Sequence, residues 1–202
     1  MTSQPNAAHK LPLFNVNVAT AAEVCARFYL DKKPMQLLKP GMAPRDYIEA
    51  LVENKEYLAA MDFVAHALPH RHSIWWGCLC LQHTCGTKLE PWERVAAKTA
   101  VLWILQPNEA NRVAAKHPAD VLGLGSPAGA LASAANQTGG SLAPPNMPLV
   151  APSPFAPARA VAIAVKVAST KGDPPAIART QHALIELGVA VAEGRYPPWT
   201  FG

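Results

Sequence analysis

The side chains with chemistry to offer crowd into one stretch, His66 to Cys85, which reads HALPHRHSIWWGCLCLQHTC. His66, His70, His72 and His83 alternate there with Cys78, Cys80 and Cys85, the ligand types that bind zinc. Zinc sites usually pair their ligands as CxxC or HxxxH, so that the donors converge on one point. This spacing does not converge. On a helix Cys78 and Cys80 would point about 200° apart, and Cys78 and Cys85 would share a face at two turns' separation. His66 and His70 have i,i+4 spacing, but Pro69 interrupts the helix between them. The stretch therefore reads as buried free thiols, and neither a metal nor another cofactor is expected.

The triplet His70-Arg71-His72 is the unusual feature, because it sets cationic side chains at a helix N-terminus, where the macrodipole is already positive. Two readings stay open. In one it is a structural polar cap, with Arg71 at least half-buried and paired to Asp62, Glu90 or Glu93, and with neutral histidines. In the other it is a recognition surface for an acidic partner. Glycines 123, 125 and 129 resemble a phosphate loop, but the spacing is GxGxxxG and no strand precedes it. A helix start explains them better: Ser126 as N-cap, Pro127 as first helical residue, and Gly139–Gly140 as the stop. Arg45, Asp46, Glu49 and Glu53 line the polar side of an amphipathic helix and read as a solvated face rather than as an acid–base pair.

These side chains need helices to position them. Ile74 to Leu81 carries no charge and is apolar on every side, the mark of a helix surrounded by neighbours. It is too short to cross a bilayer, which takes ~20 apolar residues. A helix over 70–85 and a second over 91–106, opened by Pro91, are predicted to pack antiparallel in the interior. Trp75, Trp76, Cys78, Trp92 and Trp103 are their expected core anchors. On the second helix the stripe is read as Trp92, Val95, Ala96, Thr99, Leu102 and Trp103.

Upstream, Thr20 caps a helix to about Leu30 with Ala21, Val24, Cys25 and Phe28 inward. The segment DKKPMQLLKPGMA is read as a linker. Helices follow from Pro44, with Tyr47, Ile48, Leu51 and Val52 inward, and over about 55–68, with Leu58, Met61, Val64, Ala65 and Leu68 inward. Downstream, Asn108 caps a short helix to about Lys116, and the Ser126 helix follows. Two more run over about 157–169 and 174–193, the latter with Ile177, Gln181, Leu184, Gly188 and Val191 on one side. No period-two pattern persists. The expected class is all-α, a bundle or stack of αα-hairpins with about 8–9 helices and a Pro-rich extended connection.

Composition sets the remaining bounds. The chain has 202 residues, enough for one full core, with 50% hydrophobic and only 16% charged residues. Net charge is +4 without a Lys/Arg cluster, which argues against a nucleic-acid partner. Neither a signal peptide nor a membrane span is evident, and the cysteines do not form a disulfide framework, so a cytoplasmic setting is expected. The expected organisation is a flexible N-terminal segment (1–18), a main helical domain (19–140), a Pro-rich connector (141–157) and a C-terminal helical hairpin packed on the main domain (158–202), its tail anchored by Trp199 and Phe201.

The segment AMDFVAHALPHRHSIWWGCLCLQ, the Gly-Gly-Ser-Leu turn at 139–142 and the Pro-rich lead into ARAVAIAVKVA together resemble an uncharacterised bacterial all-helical family, often encoded near type VI secretion clusters. The resemblance spans about residues 40–193, and its motifs are structural, so no catalytic residue carries over. It implies a cytoplasmic accessory role, helping a secretion-system spike or effector component assemble or load. The expected function is thus a non-enzymatic adaptor working through protein–protein contact, without nucleic acid or membrane as partner. The alternatives are an immunity-type protein that neutralises a toxin and, less favoured, a His/Cys metal-dependent protein.

Overall fold

A computed structural model describes residues 12–86, 88–141, 143, 146–170 and 173–195. Most of the expected N-terminal segment and the expected anchors Trp199 and Phe201 lie outside the described residues. The elements are α1 (Ala21–Cys25), α2 (Lys32–Leu37), α3 (Pro44–Glu53), α4 (Tyr57–Ala67), α5 (His70–Cys85), α6 (Pro91–Leu105), α7 (Glu109–Ala114), α8 (Lys116–Leu122), α9 (Pro127–Asn136), α10 (Ala156–Ala168) and α11 (Pro174–Ala192), with no strand among the described residues. The chain is an all-α helical bundle.

Two helices exceed the expected set. The linker after Asp31 folds as α2, whose Pro34 is buried and accepts at its carbonyl a 2.9 Å bond from the Tyr47 hydroxyl. The run after Lys116 folds as α8 rather than as coil. Only Ala115 divides it from α7, and Ala115 keeps αR torsions, so the chain hardly bends there. The Ser126 cap forms as expected, its hydroxyl accepting from the Gly129 amide with Pro127 in the first turn.

The helices do not stack hairpin by hairpin. α10 lies in the middle, packing on α9, α5 and α4, while α6 packs chiefly on α9. α10 and α11 are not a mutual hairpin: both rest on α4 and α5, and their side chains join the same core as those of α1. α5 and α6 do run antiparallel, since Arg71 at the start of one reaches Ile104 at the end of the other, but α5 buries more against α10.

Small residues make these close approaches feasible. α9 and α10 are alanine-rich, and nearly every alanine in them is buried. At the crossing of α5 and α11, Gly188 faces Trp76, whose indole is fully buried and donates to the Leu184 carbonyl at 2.8 Å. A Cβ on Gly188 would sit 2.6 Å from Val64 Cγ1 and 3.0 Å from the indole. Gly188→Ala is therefore expected to cost about 1–3 kcal/mol through overpacking, read as a melting point lowered by roughly 3–10 °C. Val64→Ala in the same chain should recover part of that loss, a coupling that two independent sites would not show.

Candidate functional site

The triplet at the start of α5 does not converge on a ligand. His70 is half-buried and donates from Nε2 to the Pro154 carbonyl at 2.9 Å, tying the end of the connector to α5. Arg71 is exposed instead of half-buried, and no carboxylate pairs with it among the described residues. Its Nε donates to the Ile104 carbonyl at 2.6 Å, one of the carbonyls left open at the end of α6. The expected carboxylate partners are engaged elsewhere: Asp62 holds Lys166 at 2.7 Å, and Glu93 accepts from Ser126 and from the Glu90 amide. His72 turns inward, where burial, and then the Arg71 charge, lower its pKa.

The expected core anchors divide. Trp76 and Cys78 are fully enclosed and Trp103 is buried, whereas Trp75 is half-buried. Trp92 is not a core residue: it is 51% exposed and meets the His117 ring edge-on at 6.1 Å. Val95 and Leu102 are exposed with it, so only Ala96 and Trp103 of the expected stripe are buried, and α6 buries them together with Ala97 and Ala100. Leu58 on α4 is likewise exposed.

The thiols are walled in. Cys78 and Cys80 are enclosed, and burial pushes both pKa values up, for Cys80 with a contribution from the neighbouring Cys78. Cys25 is buried beside Tyr47, and burial raises its pKa too, whereas Cys85 is only half-buried. Among the described residues no three His, Cys, Asp or Glu side chains meet where one ion could sit.

His66, at the end of α4, anchors a knot that sequence reasoning missed. It is 2% exposed, stacked on Phe28 with ring centroids 4.7 Å apart, and its Nδ1 lies 2.7 Å from the Asp62 carbonyl. A carbonyl only accepts, so Nδ1 carries the proton and Nε2 is the lone-pair nitrogen; that atom is buried without a partner. Burial pulls the His66 pKa down, only partly opposed by the Asp62 carbonyl and charge. Arg27 closes the knot, donating to the His66 carbonyl at 2.7 Å with its guanidinium 5.9 Å from the Phe155 ring centre.

A broad opening lies between α3 and α11. Both helices pack on α4 and scarcely on each other, which leaves a groove of about 880 Å³. Ile48, Val52, Ile185 and Val189 supply its apolar lining, and Glu49, Glu53 and Glu186 put carboxylates along it. His182 lies 3.6 Å from Glu186, and His83 reaches in from α5. One end is pinned by Glu193, which accepts from Arg45 at 2.6 Å and from Arg195 at 2.8 Å. Burial alone would raise the Glu193 pKa, but these two guanidinium contacts outweigh it and hold the carboxyl below its ordinary value. No Ser, Cys or Thr lines the groove among the described residues, so the usual hydroxyl or thiol nucleophile is missing there. The acidic stripe at Glu49 and Glu53 was legible, but not that α11 stands opposite it.

A family model described as "Family of unknown function (DUF6931)" matches residues 47–192, which takes in most of α3 and everything through α11. No curated protein and no solved structure matches the chain.

The histidines and thiols yield two expectations. Because the folded-state pKa of His66 is depressed, its contribution is present above the unfolded value of about 6.5 and is lost as pH falls through the folded value. The melting point should therefore drop between pH 7.5 and pH 5 by more in the native chain than in His66→Asn, when each is compared with its own value at pH 7.5. With a thiol-reactive dye, Cys85 should react first, and Cys78 and Cys80 should stay silent until denaturant is added. Prompt labelling of Cys78 would contradict the enclosed core.

Proposed function

The chain belongs to the DUF6931 family, whose function is unknown, and from that premise we propose that it is a non-enzymatic adaptor that holds a protein partner in the groove between α3 and α11. The size of that groove carries the reading. At about 880 Å³ it is large enough to seat about two turns of a helix some 10 Å across with a 5.4 Å pitch. An apolar lining edged with charge suits one amphipathic helix, whose anchors would come at i, i+3 and i+4. Cys25, Cys78 and Cys80, buried in the core, and His70 and Arg71, bonded to backbone carbonyls, support the same reading.

The biological setting rests on the resemblance carried by residues 60–82 and 158–168. That resemblance supports the proposal of an adaptor in the bacterial cytoplasm, beside a type VI secretion machine, where it helps a spike or effector component assemble or load. No helix among the described residues is long and apolar enough to cross a membrane, which is compatible with that setting. The line of Glu49, Glu53 and Glu186 favours one alternative, an immunity-type protein that covers a basic toxin surface.

Affinity capture from a host that encodes the chain separates these outcomes. The adaptor reading expects a spike or effector component to co-purify with the native chain. Recovery should fall at least tenfold, equivalent to about 1.4 kcal/mol, with Glu53→Arg or Glu186→Arg, both exposed on the groove, while the melting point holds. A toxin retained instead, and neutralised on co-expression, would select the immunity reading. Clean isolation of the chain alone, or capture indifferent to both variants, would remove the adaptor.

A further inference from the structure

The charges along the α3–α11 groove narrow what can lie in it. At one end Arg45 and Arg195 donate to Glu193 at 2.6 and 2.8 Å, so both guanidiniums are spent within the chain. Away from that end the walls turn acidic. α3 carries Glu53 about two turns past Arg45, roughly 12 Å along its axis, and α11 carries Glu186 on the opposite wall. Both carboxylates are exposed. Glu53 has no ion-pair partner among the described residues, and Glu186 meets His182 at 3.6 Å, which bears charge only when protonated. Glu49, on the α3 wall, already has a contact within the chain.

One unspent carboxylate therefore stands on each wall, either side of an apolar lining that includes Val52 and Val189. The chain as a whole has a net charge of +4, so a cationic segment meets here a field opposite in sign to that of the molecule around it. Building on the proposal that this groove holds a helix, we infer that its occupant is a basic amphipathic helix, with lysine or arginine on both flanks of its apolar stripe.

Helix geometry sets the pattern. Residues two apart point about 200° from each other, so cations just before and just after an apolar anchor reach opposite walls, one toward Glu53 and one toward Glu186. Anchors at i, i+4 and i+7 fill the apolar floor and supply the affinity. The flanking charges select the partner and its register, as they do at the edges of a coiled-coil seam. A helix with acidic flanks meets like charge on both walls and is rejected.

Two labelled synthetic peptides of ~18 residues, long enough to hold a helix, test this by fluorescence anisotropy against the full chain. They share one leucine stripe and carry either lysine or glutamate at the flanking positions. At low salt and about pH 8, above the ~6.5 of an unperturbed imidazole, the lysine peptide should bind at least about tenfold tighter than the glutamate peptide. Raising the salt to about 1 M, where screening shortens to ~3 Å, should narrow that gap. Glu53→Gln with Glu186→Gln removes both charges and keeps their shape, and should weaken the lysine peptide by roughly three- to tenfold. Glu53→Arg with Glu186→Arg should invert the preference, whereas Asp120→Arg, a charge reversal on α8 outside the groove, should leave it unchanged. Equal or tighter binding of the glutamate peptide, no binding of either peptide, or indifference to both double variants overturns the basic helix. A cellular component that is captured through the groove but docks a neutral or acidic helix also overturns it while leaving the adaptor in place, so the two proposals fail separately.

Discussion

Enclosing Trp76 is the constraint from which the rest of this bundle follows. Its indole is fully buried, so its N–H had to find an acceptor in the interior, and the Leu184 carbonyl on α11 provides it at 2.8 Å. A carbonyl already engaged within a helix can accept a second bond only if the donor comes close. Gly188, one turn further along, creates the clearance. On α5 itself Gly77 does the same for Leu131 of α9 and Val161 of α10, 3.3 Å from where a Cβ would lie in the latter case. An apolar helix with neighbours on most sides therefore needs small residues at its crossings, and that need accounts for the alanines of α9 and α10. Close packing of this kind absorbs volume changes poorly, so each crossing tolerates little substitution.

Polar groups in this interior serve the same end. The Ser73 hydroxyl donates to the Ala65 carbonyl at 3.0 Å and links α5 to α4. Arg112 is buried between α7 and α9, bonded to the Asn136 carbonyl at 2.8 Å while Asn136 returns a 3.0 Å bond to the Arg112 carbonyl. Glu109 takes the remaining guanidinium donors, and the Arg112 contact in turn draws the Glu109 carboxyl below its ordinary pKa. Losing Glu109 would leave the buried Arg112 guanidinium without its carboxylate, whereas Glu109, itself exposed, would return to water if Arg112 were lost. Lys166 and Asp62 join α10 to α4 at 2.7 Å, but both are partly exposed and contribute correspondingly little.

What could be read from the sequence was whatever depended on one helix at a time. The inward rows of α1, α3 and α11, the Ser126 cap and the buried cysteines all follow from periodicity and local chemistry. What depended on a neighbour's shape could not be read. α6 offers two candidate faces, one of large residues (Trp92, Val95, Leu102) and one of alanines (96, 97 and 100) continued by Val101 and Ile104. Area favours burying the first, but the alanine-rich α9 sits so close that only the second fits against it. Arg71 was misjudged for a similar reason. Its nearest charged candidates are committed elsewhere, and the open carbonyls at the end of α6, invisible in sequence, take its donors instead. The groove is not legible in sequence because α3 and α11 are far apart along the chain and come together chiefly through α4, with the Arg45–Glu193 bond closing one end.

The same reasoning bears on where function can reside. A thiol or imidazole does chemistry when a substrate atom can reach it and its proton can move. Cys78 and Cys80 fail the first condition, and burial keeps them protonated. His66 has its Nδ1 proton committed to a carbonyl and its Nε2 sealed from solvent, so both nitrogens hold structure. His70 Nε2 and Arg71 Nε each donate to a backbone oxygen. These groups hold α4, α5, α6 and the connector together, whereas the α3–α11 groove and the outer face of α6 present apolar area and surface charge that the central helix does not use.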